Sequence, residues 1–333
     1  MKFGLTPIEE AEGAVLAHGV RIDGAAFKKG DILTRERQLA LGSAGVRCVV
    51  AVRLESDDVG ENEAALELAN RLAGAHLRCS PPFTGRVNLF AEIAGLTIVE
   101  AQAIDQVNAV DEAITVATLP RYRAVADGDM VATIKIIPFA TQASTLEAAL
   151  AAAPMGAISI SPFKPMRIGV VSTTLPGLKP SIVAKTLRVL EARLKPTGAR
   201  IVAQEIVPHE VGPLAKALAR LVDGSDALIA FGASAITDRR DVIPAAIEAI
   251  GGRIERFGMP VDPGNLLLLA ERQGVPIIGA PGCARSPKEN GFDWVLQRVL
   301  AGIPIRDADI RAMGVGGLLM EIASRPQPRA PGD

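Results

Sequence analysis

The segment FGASAITDRRD, residues 231–241, combines small and charged residues in a pattern that suits the binding of an anion. Gly232, Ala233 and Ser234 follow an apolar run, and their small side chains let a ligand approach the main chain. Backbone N–H groups in such a turn, together with the start of a following helix, form an anion-binding concavity. The alternative is a capped helix, starting near Asp241, whose Asp and Arg side chains pair with each other in solvent.

Two further turns favour the first interpretation. VDPGN (261–265) and GAPGCARSPKENG (279–291) also lie between strand-like and helix-like segments. Turns that follow the strands of a doubly wound sheet meet at one rim, where ligands bind. The sequence therefore predicts a binding crevice made of three loops.

The C-terminal half has the pattern needed to place these loops. Short apolar runs predict strands, and longer segments with apolar residues at helical spacing predict helices. The predicted strands include 166–173, 199–207 and 226–232, and the predicted helices are 180–198, 212–224, 241–252 and 290–303. Their alternation predicts a doubly wound, mostly parallel sheet in a three-layer α/β/α domain over residues 151–323.

The N-terminal half, residues 1–150, predicts a mixed α+β region. Its apolar runs are short and interrupted by glycine, residues 85–100 predict a hairpin, and residues 144–158 predict a helix leading toward the second domain. The Pro-rich polar tail, 324–333, predicts disorder.

Bulk composition excludes several classes of protein. The 333 residues are 49% hydrophobic and only 3% aromatic, with a formal net charge of -1. No overall field favours nucleic acid or an acidic membrane, and no apolar run is long enough for a membrane helix, so we expect a cytoplasmic protein. Cys48, Cys79 and Cys283 are scattered, which argues against a disulfide framework or a zinc site, and Cys48 is expected to be buried.

The order of the three loops resembles the molybdopterin-binding domain family, which includes molybdopterin adenylyltransferase and molybdopterin molybdotransferase. Family members carry a Gly-Gly-x-(Ser/Thr)-x-Gly turn followed by Asp, then a Pro-Gly-Lys-Pro turn, then Gly-Leu-Pro-Gly-Asn-Pro. The counterparts here are FGASAITDRRD, DPGN and GAPGCA, and the resemblance spans about residues 165–320. In the N-terminal half, GRVNLFAEIAGL and VATIKIIPFA look like a subgroup of molybdopterin-binding proteins, some of which carry a nucleotidyltransferase domain as well.

The resemblance implies a set of site residues. Gly232, Ser234 and Gly282 would line the phosphate and the pterin, and Asn265 would hydrogen-bond the pterin. Asp241 and Asp238 would be the catalytic carboxylates, and Asp241 the metal ligand, in a transfer that uses magnesium and ATP or another nucleotide. The full set predicted to bind the cofactor is Ser172, Thr173, Gly232, Ala233, Ser234, Thr237, Asp262, Gly264, Asn265, Pro281, Gly282, Cys283 and Arg285.

Departures from the family pattern leave the function open between two classes. Ala233 and Ile236 replace glycines, and His209 stands where the family has Asp. Asn265 replaces the lysine, a charge that Arg285 and Lys288 can supply. The lost glycines favour a carrier that holds molybdopterin or the finished molybdenum cofactor for a separate nucleotidyltransferase.

The alternative is an active molybdopterin adenylyltransferase or molybdotransferase. A third class, a Rossmann-type nucleotide enzyme, lacks its GxGxxG turn after the first strand of the domain. The resemblance also implies a homo-oligomer.

Overall fold

The computed structural model describes residues 1–319, which form two compact units. The first unit comprises Met1–Ile93 and Thr97–Ile160, and the second comprises Ala94–Leu96 and residues 161–319. The segment 324–333, predicted to be disordered, lies outside the described residues. Within residues 1–319, no helix has the length and apolar character needed to cross a membrane.

The first part of the chain mixes short strands with helices, as its interrupted apolar runs predict. The strands are β1 Lys2–Pro7, β2 Val15–Leu16, β3 Val20–Ile22, β4 Ala25–Phe27, β5 Cys48–Arg53, β6 Asp58–Gly60, β7 Leu77–Cys79, β8 Arg86–Ala91, β9 Gly95–Val99, β10 Ile114–Thr118, β11 Ala124–Val125, β12 Met130–Ile136, β13 Ala140–Gln142 and β14 Ile158–Pro162. The helices are α1 Arg35–Ser43, α2 Glu61–Leu72, α3 Ala101–Asn108 and α4 Ala143–Ala152.

Within residues 1–319, the largest sheet of the first unit has four strands in the order β10-β12-β8-β7. Strand β8 alternates, with Val87, Leu89 and Ala91 buried, so one face of the sheet joins the core. Helix α2 covers that face with the apolar side that includes Leu68 and Leu72. The opposite face carries mainly polar side chains, among them Arg86, Asn88, Thr133 and Lys135, together with Phe90.

Three local predictions for the first unit are wrong. The segment 85–100 is not a hairpin, because β8 pairs with β7 and β12, whereas β9 pairs with β11 and β14. The helix predicted to reach residue 158 ends at Ala152, and the chain then enters β14. Cys48, expected to be buried, is exposed at the start of β5.

The second unit is built on one large sheet. Its strands are β15 Arg167–Thr174, β16 Arg200–Pro208, β17 Ala227–Phe231, β18 Arg253–Phe257, β19 Leu268–Arg272 and β20 Val275–Ala280. Its helices are α5 Pro180–Leu194, α6 Val211–Val222, α7 Val242–Ala249, α8 Gly291–Leu300 and α9 Asp307–Arg311. Within residues 1–319 the sheet has six strands in the order β16-β15-β17-β20-β19-β18.

Sheet register and packing confirm the predicted mostly parallel, three-layer fold. Strands β16, β15, β17 and β20 are parallel neighbours, and β19 runs antiparallel to both β20 and β18. Strand β17 is buried along its whole length, as expected for a central parallel strand. Residues of α5 and α8 pack in the apolar core on one face, and residues of α6 and α7 pack in the core on the other.

Candidate functional site

The predicted site loops leave the large sheet at one rim. Thr174 is paired with Pro208 at the ends of β15 and β16, and Phe231 is paired with Ala280 at the ends of β17 and β20. The loops that follow these strands therefore start side by side. Strand β18 also ends toward this rim, so the segment 258–267 joins the same group of loops.

Thr173, next to the end of β15, connects two of these loops through its side chain. Its buried Oγ1 accepts a hydrogen bond of 2.8 Å from the N–H of Ala233. The same oxygen lies 2.8 Å from Nδ1 of His209, in the loop after β16. Ser172, the other predicted hydroxyl in β15, is buried as well. Thr173 thus fixes the start of the small-residue loop, and His209 joins the site although it was not among the predicted residues.

Arg285 connects the loops that follow β17 and β20. It lies at the end of a short 3-10 helix, Gly282–Arg285, and its guanidinium donates to the main-chain oxygen of Gly232 over 2.6 Å. Burial lowers the pKa of this half-buried guanidinium. No carboxylate within residues 1–319 pairs with it. The rim therefore carries a partly desolvated positive charge that a bound anion would neutralise.

Arg193 on α5 holds the loop after β20 in place. Its side chain bonds the carboxylate of Asp293 over 2.5 Å and donates to the main-chain oxygens of Ala284 and Ser286 over 2.8 and 2.6 Å. Both charged side chains are about nine-tenths buried, with relative exposures of 10% and 11%. Asp293 also completes the cap at the start of α8 with Asn290. The loop that carries Arg285 is therefore held in place by its hydrogen bonds to α5.

Gly264 brings the fourth loop against the start of α8. Its φ of +145° is open to few side chains, and a β-carbon there would lie 2.9 Å from the backbone of Gly291. The N–H of Gly291 donates to Pro263 over 2.8 Å. Glycine at 264 is thus required by a close main-chain approach that joins the predicted DPGN turn to the rest of the rim.

The two predicted catalytic carboxylates have partners within their own loop. Asp241 caps α7, and its side chain accepts from the N–H groups of Val242 and Thr237 over 2.7 and 3.3 Å. Asp238 is exposed and pairs with Arg240, whose hydrogen bond lowers the pKa of Asp238 to about 2. These contacts match the capped-helix alternative, and the catalytic roles of both residues stay predictions.

The remaining predicted residues divide into exposed and partly buried ones. Ser234, Thr237 and Gly282 are exposed, and a β-carbon on Gly282 would meet nothing within 4 Å. Asp262, Asn265 and Cys283 are half-buried, and Pro281 is buried. Burial raises the pKa of the Cys283 thiol, whose Sγ lies 3.6 Å from Oδ1 of Asn290. Among the predicted residues, Ser234 and Gly282 therefore face solvent, where a ligand has room to bind.

Ile236 explains how the small-residue loop keeps its shape without the family's last glycine. Its side chain is 2% exposed and packs in the core that contains Ile243 and Leu268. Its backbone is not in the positive-φ region. The position therefore holds an apolar anchor beneath the loop.

The arrangement is suited to binding an anion more than to holding a metal by itself. Among residues 1–319, no group of three or more His, Cys, Asp and Glu side chains is placed to hold a metal ion. A cavity of about 300 Å³ lies at the opposite rim, lined by residues that include Asp226, Glu255 and Arg306. Asp226 is paired with Arg167 and Glu255 with Arg253, and this cavity contains none of the predicted site residues.

Similarity searches among solved structures return proteins of molybdopterin biosynthesis. The molybdopterin biosynthesis MoeA protein from Pyrococcus horikoshii is 15% identical, with 90% of this chain and 75% of that chain covered and a TM-score of 0.32. The molybdopterin biosynthesis enzyme MoaB from Thermus thermophilus is 16% identical over 42% of this chain and 98% of its own, with a TM-score of 0.30. A MogA structure is 20% identical over 41% of this chain and 100% of its own, with a TM-score of 0.29.

A search of curated proteins finds no significant match. The family model described as "probable molybdopterin binding domain" matches residues 169–301. This segment contains β15 from Gly169 onward, β16 to β20 and all of the rim loops described above. The family model therefore identifies residues 169–301 of this chain as a probable molybdopterin binding domain.

Proposed function

We propose that the chain binds molybdopterin or the finished molybdenum cofactor at the rim of the large sheet, and that it serves as a carrier in molybdenum cofactor biosynthesis. The observation that carries this proposal is the half-buried guanidinium of Arg285, which has no carboxylate partner within residues 1–319. Burying such a charge costs free energy unless an opposite charge compensates it. The phosphate of the pterin is the compensating group.

The residues present fit that ligand. Arg285 offers N–H groups beyond the one that bonds Gly232, and arginine binds phosphate through paired hydrogen bonds. The exposed hydroxyl of Ser234 and the open space at Gly282 leave room for the phosphate and the ring. Asn265 would supply the amide-type contact that a pterin edge requires. These groups bind and orient the ligand.

The contacts of the two loop carboxylates favour a carrier over an active transferase. Asp241 is committed to capping α7, and Asp238 is paired with Arg240. A transferase would need carboxylates directed at a magnesium ion that bridges the phosphates of a nucleotide. The carrier requires neither group to leave its present partner.

The decisive experiment measures what the purified protein holds and whether it turns over. The chain is expressed in a host that makes molybdenum cofactor, and bound pterin, phosphate and molybdenum are quantified for wild type, Arg285→Gln and Arg200→Gln. Arg200 lies at the amino end of β16, away from the rim, and serves as the matched control. Pterin and phosphate should be bound by wild type and the control and lost from Arg285→Gln.

Incubation with ATP, magnesium and molybdopterin separates the two classes of function. Tight binding without turnover supports the carrier. Release of pyrophosphate that depends on molybdopterin would instead show an adenylyltransferase. Absence of pterin from every sample would contradict both functions. The predicted homo-oligomer and the predicted recipient nucleotidyltransferase are tested by the mass of the native protein in solution and by transfer assays with such an enzyme.

A further inference from the structure

The polar face of the four-stranded sheet in the first unit carries an ordered set of side chains. Paired residues in neighbouring strands point to the same face of a sheet. Phe83 pairs with Arg86, Arg86 pairs with Lys135, and Lys135 pairs with Thr115. The row across this face therefore consists of an aromatic ring, two neighbouring cations and a hydroxyl group, in that order. We call the face formed by Phe83, Arg86, Asn88, Thr133 and Lys135 the outer face.

The two cations on the outer face lie directly opposite each other. Paired residues in antiparallel strands have β-carbons roughly 5 Å apart, and like charges in this relation destabilise the sheet. Lys135 is partly compensated, with Nζ at 3.4 Å from Glu61 and 2.6 Å from the main-chain oxygen of Thr84. Arg86 donates to Oγ1 of Thr133 over 2.8 Å and contacts no carboxylate within residues 1–319. The row thus has an excess of positive charge at Arg86.

The adjacent row contains an unsatisfied acceptor. Oδ1 of Asn88 is buried and has no hydrogen-bond partner within the described chain. Asn88 pairs with Thr133, and its N–H donates to the hydroxyl of Ser80 over 3.0 Å. Successive rows on one face lie about 7 Å apart, so this acceptor is within one row of Arg86. Buried acceptors nearly always have a hydrogen-bond donor. Because Oδ1 of Asn88 has none within residues 1–319, an N–H group of a ligand can serve as its donor.

Phe83 is presented to solvent on a rigid turn. It is 75% exposed, and the two residues that separate it from Arg86, Thr84 and Gly85, have φ values of 47° and 68°. Two positive φ values define a tight hairpin turn. The N–H of Gly85 donates to Asn62 over 2.8 Å, and Lys135 holds the oxygen of Thr84. These contacts hold the backbone of the turn. An exposed aromatic ring beside a cation, carried on such a turn, provides a surface on which a planar ring can stack.

We propose that the outer face is a second binding site, for a phosphate monoester carried by a planar nitrogen heterocycle. The phosphate binds Arg86 and Lys135, and the heterocycle stacks on Phe83. An N–H of the ligand bonds Oδ1 of Asn88, which requires the side chains that cover this buried atom to move aside. The outer face has two basic residues, and Arg78, which lies over Phe90 on the same side of the sheet, adds a third. Three are too few for a nucleic-acid backbone in a chain of net charge -1. This site lies in the first unit and goes beyond the rim at which we place molybdopterin.

Nucleotides and phosphorylated pterins share this chemistry, and calorimetric titration of the full chain distinguishes them. The probes are AMP, CMP, GMP and dihydroneopterin monophosphate, with the matching nucleosides, neopterin and inorganic phosphate for comparison. At least one phosphorylated heterocycle should bind, and it should bind at least about tenfold more tightly than its unphosphorylated form because the charge-assisted contacts are lost with the phosphate. Whichever class binds identifies the ligand.

Variants assign the binding to the outer face. Arg86→Gln should weaken it about tenfold or more, and Phe83→Ser, which changes an exposed side chain, should weaken it several-fold without altering thermal unfolding. Arg21→Gln, an exposed arginine on β3, is the charge-matched control and should bind as wild type. Unchanged affinity in both Arg86→Gln and Phe83→Ser, or no binding of any probe, would overturn the proposal. Loss in Arg285→Gln alone would assign the ligand to the rim, and that result also overturns it.

Discussion

The guanidinium of Arg285 and the main-chain oxygen of Gly232 are joined by a hydrogen bond of 2.6 Å. They belong to loops that follow different strands, separated by 53 residues, and their contact closes the rim where the predicted ligand loops meet. Because the guanidinium is half-buried and has no carboxylate partner in residues 1–319, its presence is costly to the free protein.

Replacing Arg285 should therefore separate stability from binding. In Arg285→Gln we expect the free energy of unfolding to change by no more than about 0.5 kcal/mol, or to rise, since the buried charge is removed. Affinity for molybdopterin should fall about tenfold or more. Urea denaturation and pterin binding on the same preparations check this. A large loss of stability with unchanged binding would show that Arg285 is a structural residue.

Arg193 should be essential for the folded state of the second unit. Its ion pair with Asp293 is buried, and removing one partner of such a pair costs roughly 3–5 kcal/mol. Arg193→Ala should lower the free energy of unfolding by that amount and loosen the loop that carries Arg285. Arg220→Ala, which breaks an exposed pair with Glu205, is the control and should cost no more than about 1 kcal/mol. Equal effects in the two variants would contradict the structural assignment.

Asp241 can be tested for its role as a cap with two substitutions. Asp241→Ala should destabilise the protein by about 1 kcal/mol because the N–H groups at the start of α7 lose their acceptor. Asp241→Asn should stay close to wild type in stability, because asparagine caps helices equally well. Pterin binding should survive in Asp241→Asn. If a measured turnover disappears in Asp241→Asn while stability is kept, the carboxylate performs chemistry.

Two glycines at the rim should respond in opposite ways. Gly264→Ala should destabilise the protein by about 1–3 kcal/mol, since the position has a positive φ and a β-carbon would lie 2.9 Å from Gly291. Gly282→Ala should leave stability within about 0.5 kcal/mol, because nothing lies within 4 Å of the added carbon. If the ligand uses that space, Gly282→Ala should still weaken pterin binding. Normal binding in this variant would place the ligand elsewhere on the rim.

The cysteines provide a pH-dependent readout. The thiolate is the form that reacts with iodoacetamide, and burial raises the pKa of both Cys79 and Cys283, so these thiols stay protonated near neutral pH. Exposed Cys48 should therefore be alkylated first, and labelling of the other two should accelerate as pH rises through and above 9. Bound molybdopterin should protect Cys283 and leave Cys79 unchanged, as measured by mass spectrometry of digested samples. Labelling of Cys283 before Cys48 at neutral pH would contradict this order.

Prediction from sequence worked best where burial leaves a strong local pattern. The central strand β17 is apolar at every position, and the helices around the sheet have clear apolar stripes, so their type and order could be predicted. The short strands β2 and β11 have two residues each, too few to show a period. The false hairpin at 85–100 arose because pairing partners of β8 and β9 lie far away in the chain.

The site residues could likewise be predicted where the signal is local in the sequence, and not where it depends on distant contacts. The glycine-rich and proline-rich turns predicted which loops form the rim, because turn chemistry is local. Arg193 gave no such signal, since its contacts lie 91 to 100 residues away and an arginine in an amphipathic helix is ordinarily solvated. His209 was considered only through its resemblance to a family aspartate, and its contact with Thr173 depends on the pairing of β15 with β16.

Ile236 affects how much conformational entropy the loop after β17 loses when a ligand binds. A glycine at this position would leave the loop after β17 free to sample many backbone conformations, and ligand binding would have to select one of them. The isoleucine side chain, sunk in the core under the loop, restricts that freedom before any ligand arrives. Less conformational entropy is then lost on association, so affinity can be retained with fewer direct contacts. Replacement of a family glycine by Ile236 therefore favours a loop backbone that is ordered before the ligand binds.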